Sequence, residues 1–487
     1  MPLSSLEART VRNVSYVGAA QILVLLLNLS ALAVLARILT PEDFGVVGIG
    51  MIAFTLFVSL QDFGVLPAVI QRDGNVEESI SSALLLRWAL AILFAGIVVG
   101  LSPIISDFFG NPAITFVLLA LTLNLFILTV GFSSQAFLTR SLDFSKLSIA
   151  AVVQYAVVAV VSIASALNGF SYWSLVTGSI SGCLAYVVIL QYFRKASVWP
   201  KFDRKLTGEL LGFGKHLLIS GLMVFVVLTF DQLAIGKVLG IASLGVYVVA
   251  SRFGRTLGQT IAGAVNQVLF PTMARIKNDM ERLKIGYVES LRMIAIVATP
   301  LTMGLSALSK PFVDVVLGVS WLPAVVPLAI LSFQGLVNSL ITPAANVLVS
   351  LGKPQYISIQ STMQAVILVV GVVPVVLLFG VNGVCILTLA LSLGALSYFL
   401  LVFSSVFQMR FYAVVRPLAA PILSGSMMFV VLFLLTQVMP ADLLSVCLLG
   451  ALGAGIYLAL LHALSRGRDV TDLIDLLKRS KLRSRNV

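Results

Sequence analysis

The chain has 487 residues, of which 59% are apolar and only 11% charged, with a formal net charge of +12 and a mean hydropathy of +1.07. Soluble domains carry about 25% charged residues, so a water-soluble enzyme or binding module is excluded and a polytopic membrane protein is expected. The basic excess needs no nucleic-acid partner, because it falls where a membrane protein places it.

Apolar runs of about 20 residues are long enough to cross a hydrocarbon core of roughly 30 Å. Six lie at 14–38, 44–68, 80–102, 112–138, 147–167 and 170–193. The first follows directly on Glu7, Arg9 and Arg12, so no cleavable signal peptide is expected. A basic linker, 194–212, contains RKASVWPKFDRKLTGE from Arg194 to Glu209. Six more runs follow at 213–238, 244–270, 286–309, 323–348, 357–379 and 382–407, then a final pair at 414–438 and 441–465. The expected fold is an all-α bundle of fourteen transmembrane helices. It comprises an N-terminal six-helix lobe (1–193), the linker, a C-terminal six-helix lobe (213–407), a helix pair (408–465) and a tail (466–487). In the tail, DVTDLIDLLKRSKLRSR places acids first and bases last, which matches a helix dipole. It reads either as an amphipathic helix on the cytoplasmic leaflet or as a solvated segment. With both termini inside, the inner segments collect most of the 32 basic residues. Arg37, Lys237 and Lys310 fall outside, and Arg87, Arg252 and Arg255 fall within spans. That asymmetry is the positive-inside pattern.

The two lobes repeat each other. VLARILTPEDFGV (Val34 to Val46) is echoed by AIGKVLGIASLGV (Ala234 to Val246) at an offset of 200 residues, aligning Arg37 with Lys237 and Gly45 with Gly245. VLPAVIQR (Val65 to Arg72) answers VLFPTMAR (Val268 to Arg275), and SPIISDFFG (Ser102 to Gly110) answers SKPFVDVVLG (Ser309 to Gly318). Six spans per copy give parallel repeats related by an axis along the membrane normal, the plan of transporters with a shared central site.

Polar residues inside the spans fall on helix faces. Arg252, Arg255, Gln259 and Asn266 recur at spacings of three, four and seven in span eight. Thr55, Ser59 and Asp62 do so in span two, with Thr55 and Ser59 at the repeat positions of Arg255 and Gln259. Span ten adds Gln334, Asn338, Thr342 and Asn346, and span four has Asn124, Gly131 and Gln135 on one face. Four helices with one wet face each point to a water-filled cavity. A mid-membrane arginine costs about 2.5–3.5 kcal/mol on the insertion scale and normally faces a cavity or a partner. Arg252 has a candidate partner in Asp231. Arg255 has no acid at its level in span seven and reads as an anion ligand or as a snorkelling side chain. Asp62 reads as a structural partner of Arg72 or Arg87, with ion binding as the alternative. Arg37 and Lys237 are expected to anchor outer helix ends, and the Gln and Asn side chains to bridge helices or line the cavity. Pro67 and Pro271 end their spans or kink them, whereas Pro300, Pro343 and Pro374 interrupt spans nine to eleven.

Catalytic chemistry finds little support. Cys183, Cys385 and Cys447 lie inside spans and read as core filler. His216 and His462 are far apart and lack clustered carboxylates, so no metal or other cofactor is expected. The outer loops are too short for the catalytic domain of a polymerase or ligase.

The segments VLARILTPEDFG (Val34 to Gly45), QDFGVLPAVIQR (Gln61 to Arg72), FLTRSLDFSKLS (Phe137 to Ser148), DQLAIGKVLGIASLGVYVVA (Asp231 to Ala250) and VLFPTMARIKNDMERL (Val268 to Leu283) resemble the Wzx-type polysaccharide flippases. These belong to the multidrug, oligosaccharidyl-lipid and polysaccharide exporter superfamily, and the similarity is to the branch of colanic-acid-like and succinoglycan-like exporters. The resemblance implies two six-helix lobes alternating between inward-open and outward-open states, as in MATE transporters and lipid II flippases. It also implies an undecaprenyl-diphosphate-linked oligosaccharide as substrate, moved across the inner membrane, with membrane lipids and polymerase or export machinery as partners. Cavity-facing arginines of such relatives lie in spans one, two and eight, and only Arg252 or Arg255 answers them here. The candidate cavity residues are therefore Arg252, Arg255, Gln259, Asn266, Asp231, Asp62, Asn124, Gln334 and Asn338. Moving two negative charges outward gains about 4.6 kcal/mol per 100 mV of inside-negative potential, so H+ or Na+ coupling is an option rather than a requirement. The rival reading is a drug and cation antiporter of the same superfamily, which would want deep acids where the second lobe is net basic.

Overall fold

The computed structural model describes residues 3–62, 76–194, 198–201, 225–275, 279–407 and 411–465, with a few single positions between them. Pro67, Arg72, His216, the 213–221 part of span seven, most of the 194–212 linker and the 466–487 tail lie outside the described residues, as does the Asn266 side chain.

Every regular element among the described residues is helical. The long helices are α1 (Leu3–Ile38), α2 (Pro41–Asp62), α3 (Val76–Phe109), α4 (Ala113–Arg140), α5 (Phe144–Leu167), α6 (Trp173–Phe193), α7 (225–238), α8 (Ile241–Arg275) and α9 (Met280–Ala307). They continue with α10 (Val325–Ser350), α11 and α12, α13 (Phe411–Leu435) and α14 (Leu443–Leu464). α11 (355–379) and α12 (381–407) are two limbs of the stretch Gln355–Phe407, which breaks at Gly380 with φ 62°. Eleven continuous helical stretches among the described residues are long and apolar enough to cross a membrane, the broken one included. α8, which carries the polar stripe, is not one of them. The order of long helices matches the fourteen expected spans. Helix continues through Pro300, Pro343 and Pro374, and the backbone break lies between the eleventh and twelfth spans at Gly380, glycine being the residue that tolerates positive φ. Between α9 and α10 the chain tightens through a π-turn (Val313–Leu317) and a 3-10 turn (Val319–Ala324).

By packing, the chain divides into Met1–Val248 and Val249–Val487, a division that falls within α8.

In the first unit the motif TPEDFG has a physical reading. Thr40 is the N-cap of α2 and Pro41 its first residue, where the missing N–H costs nothing. The Asp43 carboxylate accepts from the Thr40 amide and hydroxyl, both at 2.8 Å, while the Thr40 hydroxyl accepts from the Asp43 amide at 3.3 Å. This is a reciprocal capping box. The Ser171 hydroxyl adds a further bond to Asp43, tying the α5–α6 turn to the same cap. Gly45 follows because α2 crosses the start of α8 at almost no distance. A Cβ at Gly45 would lie 2.0 Å from the Ile241 carbonyl oxygen, and one at Gly245 would lie 1.7 Å from that of Pro41. Pro41 and Ile241 are themselves repeat partners, so the crossing is reciprocal under the 200-residue offset. Elsewhere Phe57 and Phe94 join α2 to α3 with ring centroids 5.0 Å apart, and Gly178 and Gly182 bring α6 onto Ser162 and Val158 of α5. That Gly-x-x-x-Gly spacing suits close helix packing in lipid.

In the second unit, α9 forms the spine, packed by α10, α13 and α14 around buried Leu291, Ile294, Leu340, Phe403, Leu432 and Tyr457. Tyr287 stacks on Phe403 with centroids 4.0 Å apart. The final helix pair is fastened by the Tyr457 hydroxyl, which donates to the Ile296 carbonyl at 2.9 Å. At the start of α14, Asp442 accepts from the Ser445 amide at 2.7 Å. Hydrogen bonds from the Ser445 hydroxyl and then its amide hold the Asp442 carboxyl below its ordinary value. The folded pKa is the lower one, so this cap is fully formed above the unfolded carboxylate range and lost as pH falls through the depressed value. The protection of first-turn α14 amides, measured relative to their intrinsic exchange rates, should fall on acidification, and Asp442→Ala should abolish that loss of protection. An unchanged response in the variant would refute the cap.

Candidate functional site

The sequence-derived residues fall into separate clusters. In the second unit, α8 and α10 cross on bare backbone: a Cβ at Gly254 would meet the Leu331 carbonyl carbon at 2.8 Å, and one at Gly258 the Gly335 carbonyl oxygen at 2.2 Å. This crossing places Arg255 beside Gln334. The Arg255 Nε–H donates to Gln334 Oε1 at 2.7 Å. The Gln334 amide nitrogen donates to the Thr388 carbonyl at 3.0 Å and to Ser392 Oγ at 3.1 Å, both on α12. Gln334 is buried and Arg255 half-buried, whereas Arg252 and Gln259 are exposed on the same stripe. Asn338 is half-buried one turn along α10, where its backbone carbonyl accepts from Thr342. The unit thus carries Arg252, Arg255 and Gln259 on α8 and Gln334 and Asn338 on α10, with Arg255 and Gln334 bonded to each other.

In the first unit, Asn124 is fully buried, and its amide nitrogen donates to Ser179 Oγ of α6 at 3.1 Å. Asn124 Oδ1 has no partner. Asp62 ends α2 paired with Arg87 of α3. The Arg87 side chain is 4% exposed against 55% for Asp62, and its guanidinium lies 4.6 Å from the centroid of the Phe132 ring. Gln61 completes this group, donating to the Arg87 carbonyl at 3.1 Å and to Thr129 Oγ1 at 2.8 Å. Of the two partners expected for Asp62, Arg87 is the one found; Arg72 lies outside the described residues. Asp231 is buried and accepts from the Tyr247 hydroxyl and from the Gln232 amide. The Lys237 ammonium donates to the Phe108 carbonyl at 2.6 Å and sits 4.1 Å from the centroid of that residue's ring.

Sequence reasoning missed Thr388, Ser392, Ser179 and the glycine crossing. The crossing had a signal, the Gly-x-x-x-Gly spacing of Gly254 and Gly258. The serines had none, since each lies far along the chain from the amide it holds. No group of three or more His, Cys, Asp or Glu side chains that could hold a metal occurs among the described residues.

A chain written twice in sequence, helical in every regular element described and carrying eleven stretches able to cross a membrane, is of the polytopic membrane class to which transporters belong. The lipid II flippase MurJ in an inward closed conformation superposes with a TM-score of 0.75 at 15% identity, covering 94% of this chain and 99% of that one. An inward-facing MATE family multidrug transporter gives 0.62 at 15% identity, covering 82% and 99%. The chain belongs to the family described as polysaccharide biosynthesis protein, whose model matches residues 34–327. Curated relatives include the lipopolysaccharide biosynthesis protein WzxC of Escherichia coli (strain K12), 24% identical with 71% of each chain covered. Teichuronic acid biosynthesis protein TuaB of Bacillus subtilis (strain 168) is 28% identical, covering 60% of this chain and 61% of that one. Succinoglycan biosynthesis transport protein ExoT of Rhizobium meliloti (strain 1021) is 25% identical, covering 70% and 69%.

Proposed function

We propose that this chain is a flippase for a lipid-linked oligosaccharide, and that Arg255, aided by Arg252, holds the diphosphate that joins sugar to lipid. The observation that carries the anion assignment is the bond from half-buried Arg255, on the polar stripe of α8, to buried Gln334. A guanidinium stays charged in every physiological condition and offers a planar fork of donors matched to phosphate oxygens. The sugars, rich in hydroxyls, suit Gln259 and Asn338 beside it, while the prenyl chain remains in lipid. Catalysis is not part of this reading, and it needs no cofactor; the membrane potential can drive the charge outward, with H+ or Na+ coupling as an addition. The cytoplasmic membrane, inward-facing termini and a downstream polymerase or export complex complete the proposal.

The antiporter reading is weaker on this geometry. Asp62 and Asp231, the candidate deep acids of the first unit, are engaged by Arg87 and by Tyr247. In proteoliposomes carrying an undecaprenyl-diphosphate oligosaccharide, Arg255→Ala should lower flipping at least about tenfold, the loss expected for one hydrogen bond to a charged group at about 1.5–3 kcal/mol. Flipping at the normal rate would remove Arg255 from the site. Efflux of a cationic dye, with no movement of the lipid-linked sugar, would replace the flippase with the antiporter.

A further inference from the structure

We infer that Gln334 is a positioning residue: it aims the Arg255 guanidinium at the anion and is not itself a substrate ligand. The inference rests on the anion-site reading above and assigns Gln334, Ser392 and Thr388 a role beyond it.

Three bonds use the Gln334 side chain. Its carbonyl oxygen takes Arg255 Nε–H, and its two amide hydrogens go to the Thr388 carbonyl and Ser392 Oγ. Both donors are spent on α12, and the acceptor points at α8. A bond to Nε fixes the plane of a guanidinium without itself occupying either terminal nitrogen, the pair that binds phosphate oxygens in a fork. Gln334 is 5% exposed, which suits a bracket better than a ligand. Its backbone sits beside Gly335, where α8 and α10 touch, so the arginine and its bracket belong to one rigid crossing.

The first repeat supplies an internal control. There too the fourth helix carries an amide, Asn124, that donates to a serine on the sixth, Ser179. Thr55 stands where the second repeat has Arg255, and the Asn124 carbonyl oxygen is left buried without a partner. The amide-to-serine bond is thus common to both repeats. The second adds the arginine and, in glutamine, one more methylene to reach it. An orphaned buried acceptor costs about 1–3 kcal/mol; Arg255 removes that cost in the second repeat, and the bond orients it in return.

The test measures binding of inorganic pyrophosphate to the full chain in nanodiscs over a range of salt. Gln334→Met keeps the volume and loses the bonds, while Thr388 and Ser392 still satisfy each other. Its affinity should fall about fivefold to tenfold, with the salt dependence unchanged, because the charge remains and only its aim is lost. Arg255→Ala should lower both the affinity and the salt slope. Ser392→Ala, which touches neither Arg255 nor the anion, should weaken binding about twofold to threefold, and it serves if Gln334→Met does not fold. Wild-type affinity in both Gln334→Met and Ser392→Ala, alongside a loss in Arg255→Ala, would overturn the positioning role and leave the anion site standing. Wild-type affinity in Arg255→Ala would overturn the anion site itself.

Discussion

Gly245→Ala should destabilise the protein by about 1–3 kcal/mol, the cost of overpacking a rigid contact, whereas Gly96→Ala should leave it unchanged or slightly more stable. The two substitutions are chemically identical, and both sites are helical. At Gly96 nothing lies within 4 Å of the new methyl group, so only the better helix propensity of alanine acts, worth up to about 1 kcal/mol. At Gly245 the methyl group would sit 1.7 Å from a backbone carbonyl oxygen and 3.0 Å from the Gly45 amide nitrogen. Backbone cannot rotate away as a side chain can, so α2 and α8 must separate. Gly45→Ala should behave alike, since its methyl group would meet the Ile241 carbonyl at 2.0 Å. Gly48→Ala marks the gradation: its nearest contact is a Val248 methyl group at 3.4 Å, and it should be nearly neutral. Thermal unfolding in detergent reads all four variants. Equal midpoints for Gly245→Ala and Gly96→Ala would mean that the crossing does not bear on stability.

That crossing also marks what could be read in the chain and what could not. The aligned glycines at 45 and 245 stand out from the repeat, but their purpose depends on which helix approaches and how closely. Spacing alone does not contain that distance. The polar stripe of α8 was legible because residues three, four and seven apart must share a helix face. So was the number of long helices, since each apolar run needs a full membrane crossing to satisfy its backbone. The break at Gly380 lies in the two-residue gap between the runs 357–379 and 382–407, whereas the prolines, which advertise interruption, sit within continuous helix. The partners of the amides were least legible. Gln334 and Asn124 read as bridging helices or lining the cavity; both bridge, each to a serine 55 to 58 residues further on, a partner that spacing does not name. Asp62 was easier, because a carboxylate beneath two arginines has few other uses, but the choice of Arg87 required knowing that α3 returns beside the end of α2.

Asp62→Asn should cost more stability than Arg87→Met, although the two substitutions break the same ion pair. Removing one partner of a fully buried pair costs about 3–5 kcal/mol because the survivor is left charged in a low dielectric. Here the survivors differ. In Asp62→Asn the remaining group is Arg87, whose side chain is 4% exposed and whose Nε already lacks a partner. A guanidinium in a protein does not shed its proton. The Phe132 ring at 4.6 Å and Gln61 Oε1 at 3.4 Å compensate only in part, so a cost of about 2–4 kcal/mol is expected. In Arg87→Met the remaining group is Asp62, 55% exposed, which water can solvate, and methionine fills the vacated space beside Phe132. About 1–2 kcal/mol is expected there, on the scale of one lost charge-assisted bond. The double variant Asp62→Asn, Arg87→Met should lie close to Arg87→Met alone, giving a coupling energy above about 1 kcal/mol in a double-mutant cycle. Additive losses would show that the pair contributes nothing as a pair. A larger loss from Arg87→Met than from Asp62→Asn would reverse the assignment, making the carboxylate the buried charge that the fold must satisfy.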